Sequence, residues 1–117
     1  MRFEALEVWK RSARLSAEIY KALAGLRDFG FKDQICRSGL SIPSNIAEGI
    51  ERESDREVVR FLMIAKGSCG ELRTQIYIGM DIGYIQKATG HAWLQETKEI
   101  SAMLVGLKRR RQGGGEG

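Results

Sequence analysis

The sequence is short of the residues that break helices, hold metals or staple small secreted folds. It has one proline, one histidine and two cysteines in 117 residues. With a single proline and few runs of β-branched residues, no strand signal competes with helix, and an all-α fold is predicted. His91 has no cysteine or carboxylate at ligand spacing, so neither a metal centre nor another cofactor is expected. No His-based triad can be assembled around it. A phosphate-cradling loop after a strand is excluded along with the strands. The prediction is therefore a protein that is not an enzyme. No apolar run is long enough to span a bilayer, and Met1-Arg2-Phe3-Glu4 lacks the pattern of a secretory signal. A cytoplasmic location with no membrane partner is the expectation. In a reducing compartment, Cys36 and Cys69 are expected as buried thiols. A helical hairpin turning near residue 53 would put both at one height, which leaves a disulfide sterically open.

Net charge is also small in the body of the chain. The formal net charge is +4 and the pI 9.3. Lys108, Arg109, Arg110 and Arg111 supply four positive charges and Glu116 one negative, so residues 1–107 carry only +1. The basicity is a C-terminal feature. Residues 1–111 read as one domain. Gln112 to Gly117 is a glycine-rich tail with nothing to bury, and disorder is predicted there.

Four helices account for the rest. The first is predicted from about Glu4 to Leu26. Leu6, Trp9, Ala13, Ser16, Tyr20 and Leu23 form one line on it, and Val8, Leu15, Ile19, Ala22 and Leu26 a second, about 100° away. So wide an apolar arc has two readings. It serves either self-association or deep burial within its own bundle. Glu7–Arg11 and Arg14–Glu18 are spaced as i,i+4 pairs on the wet side.

The second helix, about Phe31 to Arg52, has a core line of Ile35, Gly39, Ile42 and Ile46. Pro43 inside it costs one hydrogen bond and presses on the carbonyl of Gly39, which predicts a kink near residues 39–43 or two shorter helices with Ser41 as a cap. Gly39 and Gly49 are expected where a neighbouring backbone approaches closely. The third helix opens with a capping box, Ser54 to Glu57, and runs about 27 residues to a C′ glycine at Gly83. Its core stripe is Val58, Phe61, Leu62, Ala65, Cys69, Leu72 and Ile76, with small Gly67, Ser68 and Gly70 turned toward the second helix. The fourth, about Ala88 to Arg110, repeats Trp93, Thr97, Ile100, Leu104 and Leu107. Short connections make this an antiparallel up-down-up-down four-helix bundle with a proline-kinked second helix.

Two candidate sites follow. Arg37, Ser41, Asn45, Glu48 and Arg52 on the second helix face Ser68 and Glu71 on the third. They form either a register-fixing polar network or a ligand pocket. An Arg37–Glu71 bridge across the hairpin is expected, and Glu71→Ala should lower the melting temperature or dissociate an oligomer. Lys108, Arg109, Arg110 and Arg111 are the candidate nucleic-acid contacts, set against a solvated helix end that binds nothing. No aromatic lies beside them to stack bases.

Leu6-Glu7-Val8-Trp9, Ser41-Ile42-Pro43-Ser44-Asn45-Ile46-Ala47-Glu48-Gly49, Phe61-Leu62-Met63-Ile64-Ala65-Lys66-Gly67-Ser68 with Glu71-Leu72, and Gly83-Tyr84-Ile85 resemble the bacterial four-helix-bundle family also described as 23S rRNA intervening-sequence proteins. The resemblance covers about residues 3–107. It implies a cytoplasmic homo-oligomer, with a pentameric barrel as the assembly, and supplies no catalytic residues. Some members are encoded inside intervening sequences of ribosomal RNA genes. A related bundle, the accessory protein of gene-diversifying retroelements, is a basic barrel that binds nucleic acid and a reverse transcriptase. The near-neutral body of this chain departs from that relative. Two functions are therefore carried forward: an oligomeric accessory protein associated with RNA or a nucleic-acid-processing protein, and a protein-interaction scaffold that binds no nucleic acid.

Overall fold

The computed structural model describes residues 2–114, and among these there are four α-helices and no strand. They are α1 (Glu7–Ala22), α2 (Phe29–Ile50), α3 (Asp55–Asp81) and α4 (Lys87–Gly114). A 3-10 turn over Phe3–Ala5 precedes α1. The helices pack lengthwise as a bundle of 50 × 20 × 20 Å. The α2–α3 and α3–α4 seams are the most extensive and the α1–α4 seam the least.

Local chemistry sets most of the ends. Asp28 caps α2, its side chain accepting from the amide of Phe31 at 3.1 Å. Ser54 caps α3 by accepting from the amide of Glu57 at 3.2 Å. Only half of the capping box forms, because the Glu57 carboxylate turns to Arg60 at 2.9 Å. At the far end of α3, Gly83 has φ +82°, the left-handed region that glycine enters without steric cost. The amide of Tyr84 then donates to Gly79 O and that of Gly83 to Met80 O, which is the Schellman closure. Tyr84 stacks edge-on to Phe31 at 5.3 Å. Its hydroxyl donates to Asp28 Oδ2 at 2.8 Å, so the start of α2 is tied to the end of α3.

Periodicity placed the core correctly. Ile35, Ile42 and Ile46 of α2, Val58, Leu62, Ala65, Cys69, Leu72 and Ile76 of α3, and Trp93, Thr97, Ile100, Leu104 and Leu107 of α4 are all buried. On α1 and its C-cap both apolar lines are mixed: Val8, Leu15 and Ile19 of one and Ser16 and Leu23 of the other are buried, whereas Trp9 and Ala13 are half-buried and Tyr20 and Ala22 exposed.

Several boundaries and roles differ from the sequence expectation. The first helix begins at Glu7, because Leu6 is extended and offers no side-chain cap. The second is one helix through Pro43, not two. Of the four glycines expected at close approaches, only Gly49 is tight: an added Cβ would lie 2.7 Å from Phe61 Cβ. Gly39 has room for a methyl beside Ile19, and Gly67 and Gly70 face open space, not α2. The fourth helix continues through Gly114, past the boundary drawn at residue 111. The rest of the glycine-rich tail, residues 115–117, lies outside the described residues.

Candidate functional site

The polar stripe of α2 meets α3 at one point. Ser41 Oγ and Ser68 Oγ are 2.8 Å apart across the seam. Asn45 Nδ2 donates to Ser41 O at 2.8 Å and to Ser41 Oγ at 3.0 Å, and Ser68 Oγ donates to Ile64 O at 3.3 Å. One proton order satisfies every contact: Asn45 donates to Ser41, Ser41 to Ser68, and Ser68 to its own helix. Around Pro43, Ser44 Oγ and Asn45 Nδ2 donate to the carbonyls of Leu40 and Ser41.

The outer members of the stripe do not cross the seam. Arg37 Nε donates to Asp33 at 2.9 Å, one turn back on α2, and not to Glu71. Arg37 and Glu71 are both exposed, and the local i,i+4 partner needs no cross-hairpin alignment. Arg52 likewise pairs with Glu48 on its own helix at 2.9 Å. Seven residues expected in one network therefore resolve into a three-residue core, Ser41, Asn45 and Ser68, two local ion pairs, and a solvated Glu71.

A second polar feature, on the α1–α4 seam, differs from the sequence expectation. Arg11 does not pair with Glu7, which lies 3.7 Å from Lys10 instead. Arg11 reaches α4, donating to Glu96 at 2.9 Å and to Glu99 at 2.6 Å. The two carboxylates hold the guanidinium charged, raising its pKa. Arg11, followed by Gln95, holds the Glu99 carboxyl below its ordinary value of 4.5. The sequence signal was present: Arg11 lies three residues after Val8 and four before Leu15, on the edge of the core face, where a charge requires a partner. Clefts of about 240 and 300 Å3 lie along this seam, the first lined by Leu6, Val8, Met103 and Leu107, the second by Leu15, Glu18, Trp93 and Glu96.

The α1–α2 seam carries the apolar surplus. One furrow of about 340 Å3 is lined by Phe3, Trp9, Ala13, Leu40, Pro43 and Ala47. Another, of about 550 Å3, is lined by Tyr20, Ala24, Phe29, Lys32, Asp33 and Cys36. Phe29 is 69% exposed, Leu40 49% and Tyr20 47%. Cys36 and Cys69 are both free, buried thiols, and burial pushes both pKa values up.

At the other candidate site, Lys108 and Arg111 are half-buried and Arg109 and Arg110 exposed. Arg111 Nη1 donates to Asp55 Oδ1 at 3.2 Å, which docks the end of α4 on the start of α3. Among the described residues, no group of three or more His, Cys, Asp or Glu side chains is gathered as a metal site. None of the described helices is long and apolar enough to cross a membrane.

These features define an all-α bundle with side-chain hydrogen bonds across its seams, apolar furrows between α1 and α2, and a basic end. The chain belongs to the family of 23S rRNA-intervening sequence proteins, whose model matches residues 4–106. It is similar to a crystallised protein with unknown function from the S23 ribosomal protein family of Bacteroides thetaiotaomicron VPI-5482. The identity is 26% and the TM-score 0.81, over 86% of this chain and 97% of that one. No curated protein matches the chain.

Proposed function

We propose that this chain is a non-enzymatic cytoplasmic protein that works as a homo-oligomer, with a pentamer as the expected assembly, and associates with RNA through its basic end. The observation that carries self-association is the pair of furrows between α1 and α2, one with Leu40 about half exposed beside half-buried Trp9 and the other with exposed Tyr20 and Phe29. Large apolar side chains grouped on one face mark an interaction surface rather than scattered exposure. A second copy is the partner always present at matching concentration. The test is solution mass by light scattering. The wild type is expected at a multiple of the 13.1 kDa chain. Leu40→Glu is expected to run as a monomer with its helical circular dichroism intact. A monomeric wild type overturns the proposal.

The Lys108–Arg111 run supports the RNA association. Repetition of that run around an oligomer would make a multivalent basic fringe. Retention on RNA should fall steeply with salt and vanish when residues 108–117 are removed. The second reading, a protein-interaction scaffold that binds no nucleic acid, draws on the near-neutral body and on Arg111, which is already engaged by Asp55. Salt-independent behaviour on RNA would favour it.

A further inference from the structure

Arg111, the last of the consecutive basic residues on α4, is joined in space by basic residues from the α2–α3 corner. The Arg111–Asp55 contact lays the last turns of α4 on the first turn of α3. Arg56 and Val59 line a cleft of about 330 Å3 there, together with Asp55, Arg111 and Gln112. One turn along, the guanidiniums of Arg52 and Arg60 lie 4.8 and 4.5 Å from the centre of the Phe61 ring. Phe61 is itself buried, so the ring is a fixed platform that holds two flexible cations in place.

The acids of this corner are largely spent. Glu48 is on Arg52, Glu57 on Arg60 and Asp55 on Arg111. Arg56, Lys108, Arg109 and Arg110 have no carboxylate within ion-pair distance among the described residues. Glu51 and Glu53 are the exposed acids that remain in the turn. The paired guanidiniums keep N–H donors beyond those used on their own acids. Screening limits each charge to about 8 Å at physiological salt. The ligand that can engage such a row is one with closely and regularly spaced anions.

We infer that Arg52, Arg56 and Arg60 complete, with Lys108–Arg111, one surface that binds the phosphodiester backbone of nucleic acid. This rests on the RNA reading above and extends it to three residues on other helices. Phe61 is buried under its arginines and offers no free face to a base, so binding is independent of sequence.

The test is fluorescence anisotropy with the full chain and a labelled single-stranded RNA of mixed sequence, across a salt series. Inorganic polyphosphate serves as the competing arm. Arg56→Ala and Arg60→Ala should each weaken RNA binding equally for unrelated sequences. Each should reduce the slope of log affinity against log salt by about 0.7. Arg56→Lys should retain the slope, which separates lost charge from lost folding. Lys21→Ala, on α1, should change nothing. If the triple Lys108→Ala, Arg109→Ala, Arg110→Ala variant loses binding while Arg56→Ala and Arg60→Ala retain it, the inference fails and the RNA reading stands. If the wild type shows no salt-dependent RNA binding, both fail. If polyphosphate binds through Arg56 and RNA does not, the surface takes a free polyanion and the nucleic-acid assignment is overturned.

Discussion

Two glycines separate packing from propensity most sharply. Gly49 lies on the face of α2 against α3, where an added methyl would sit 2.7 Å from Phe61 Cβ and 3.3 Å from Val58 O. Neither neighbour is the free end of a flexible side chain. One is bonded to the α3 backbone and the other belongs to it, so relief requires the helices to move apart. Overpacking of this kind costs about 1–3 kcal/mol. Replacing a mid-helix glycine by alanine returns about 1 kcal/mol. Gly49 is next to the end of α2, so less than that is returned. Gly49→Ala should therefore destabilise by about 1–2 kcal/mol, or roughly 4 °C per kcal/mol in a domain of this size. Gly67 is mid-helix in α3 with nothing within 4 Å of an added Cβ. Gly67→Ala should stabilise by about 0.5–1 kcal/mol. The assay is urea and thermal unfolding by circular dichroism at one fixed protein concentration. A Gly49→Ala protein as stable as the wild type refutes the packing argument. Destabilisation or a loss of mass in Gly67→Ala would mean that another copy approaches the outer face of α3.

Other outcomes follow from the same geometry. Ser41→Ala and Ser68→Ala should each cost about 1 kcal/mol, and the double variant less than the sum, because they share one bond; additive losses would show that the bond contributes nothing. Gly83→Ala forces a side chain into the left-handed region and should cost about 1–2 kcal/mol, read from the same urea curves. Arg11 keeps Glu99 ionised in the folded state, so the folded pKa is lower than the unfolded one. Its contribution is present above the ordinary glutamate pKa of 4.5 and is lost as pH falls through the lower folded value. Arg11→Met should therefore flatten the acid limb of the stability–pH curve, and an unchanged limb would mean that the clasp does not couple to folding. Glu71→Ala, with Arg37 committed to Asp33, should leave the unfolding curve of a dissociated chain unchanged. A change in solution mass alone would place Glu71 in a contact between copies.

What could be read from the sequence was what depends on near neighbours. Ser54, Gly83 and the core lines of α2, α3 and α4 are governed by spacings of one or two turns, and each is found where its spacing puts it. The errors arose where a partner on another helix had to be chosen. Height along a hairpin predicted that Arg37 would meet Glu71, but height does not fix azimuth, and Arg37 points away from the seam toward its own Asp33. Spacing alone pairs Arg11 with Glu7, but its place on the edge of the core face sends it to α4. The same gap misplaced Gly67 and Gly70, since smallness says that something can come close and not what does. Asp28 was missed as a cap because the pattern of apolar residues begins only at Phe31; its link to Tyr84 joins residues 56 apart in the chain.

The four seams are not equally closed, and this bears on why association would matter to the fold itself. The seams on either side of α3 close tightly at Gly49 against Phe61 and at Gly90 on Met80, and the one cleft described on them, between Arg56 and Arg111, lies at the end of the bundle. Arg73 donates across the α3–α4 seam to Ser101 at 3.2 Å. The seams on either side of α1 are open: clefts flank the Arg11 clasp on one, and furrows run along the other. The helix with the widest apolar arc is thus the one its own chain covers least. Burial of that arc by a second copy would stabilise the native state by mass action, so the unfolding midpoint should rise with protein concentration. Leu40→Glu should abolish the rise while leaving the low-concentration midpoint nearly unchanged, because Leu40 is exposed in the single chain. A midpoint that stays constant over a hundredfold dilution would mean that α1 is held by α2 and α4 alone, and the apolar furrow would then need a different occupant.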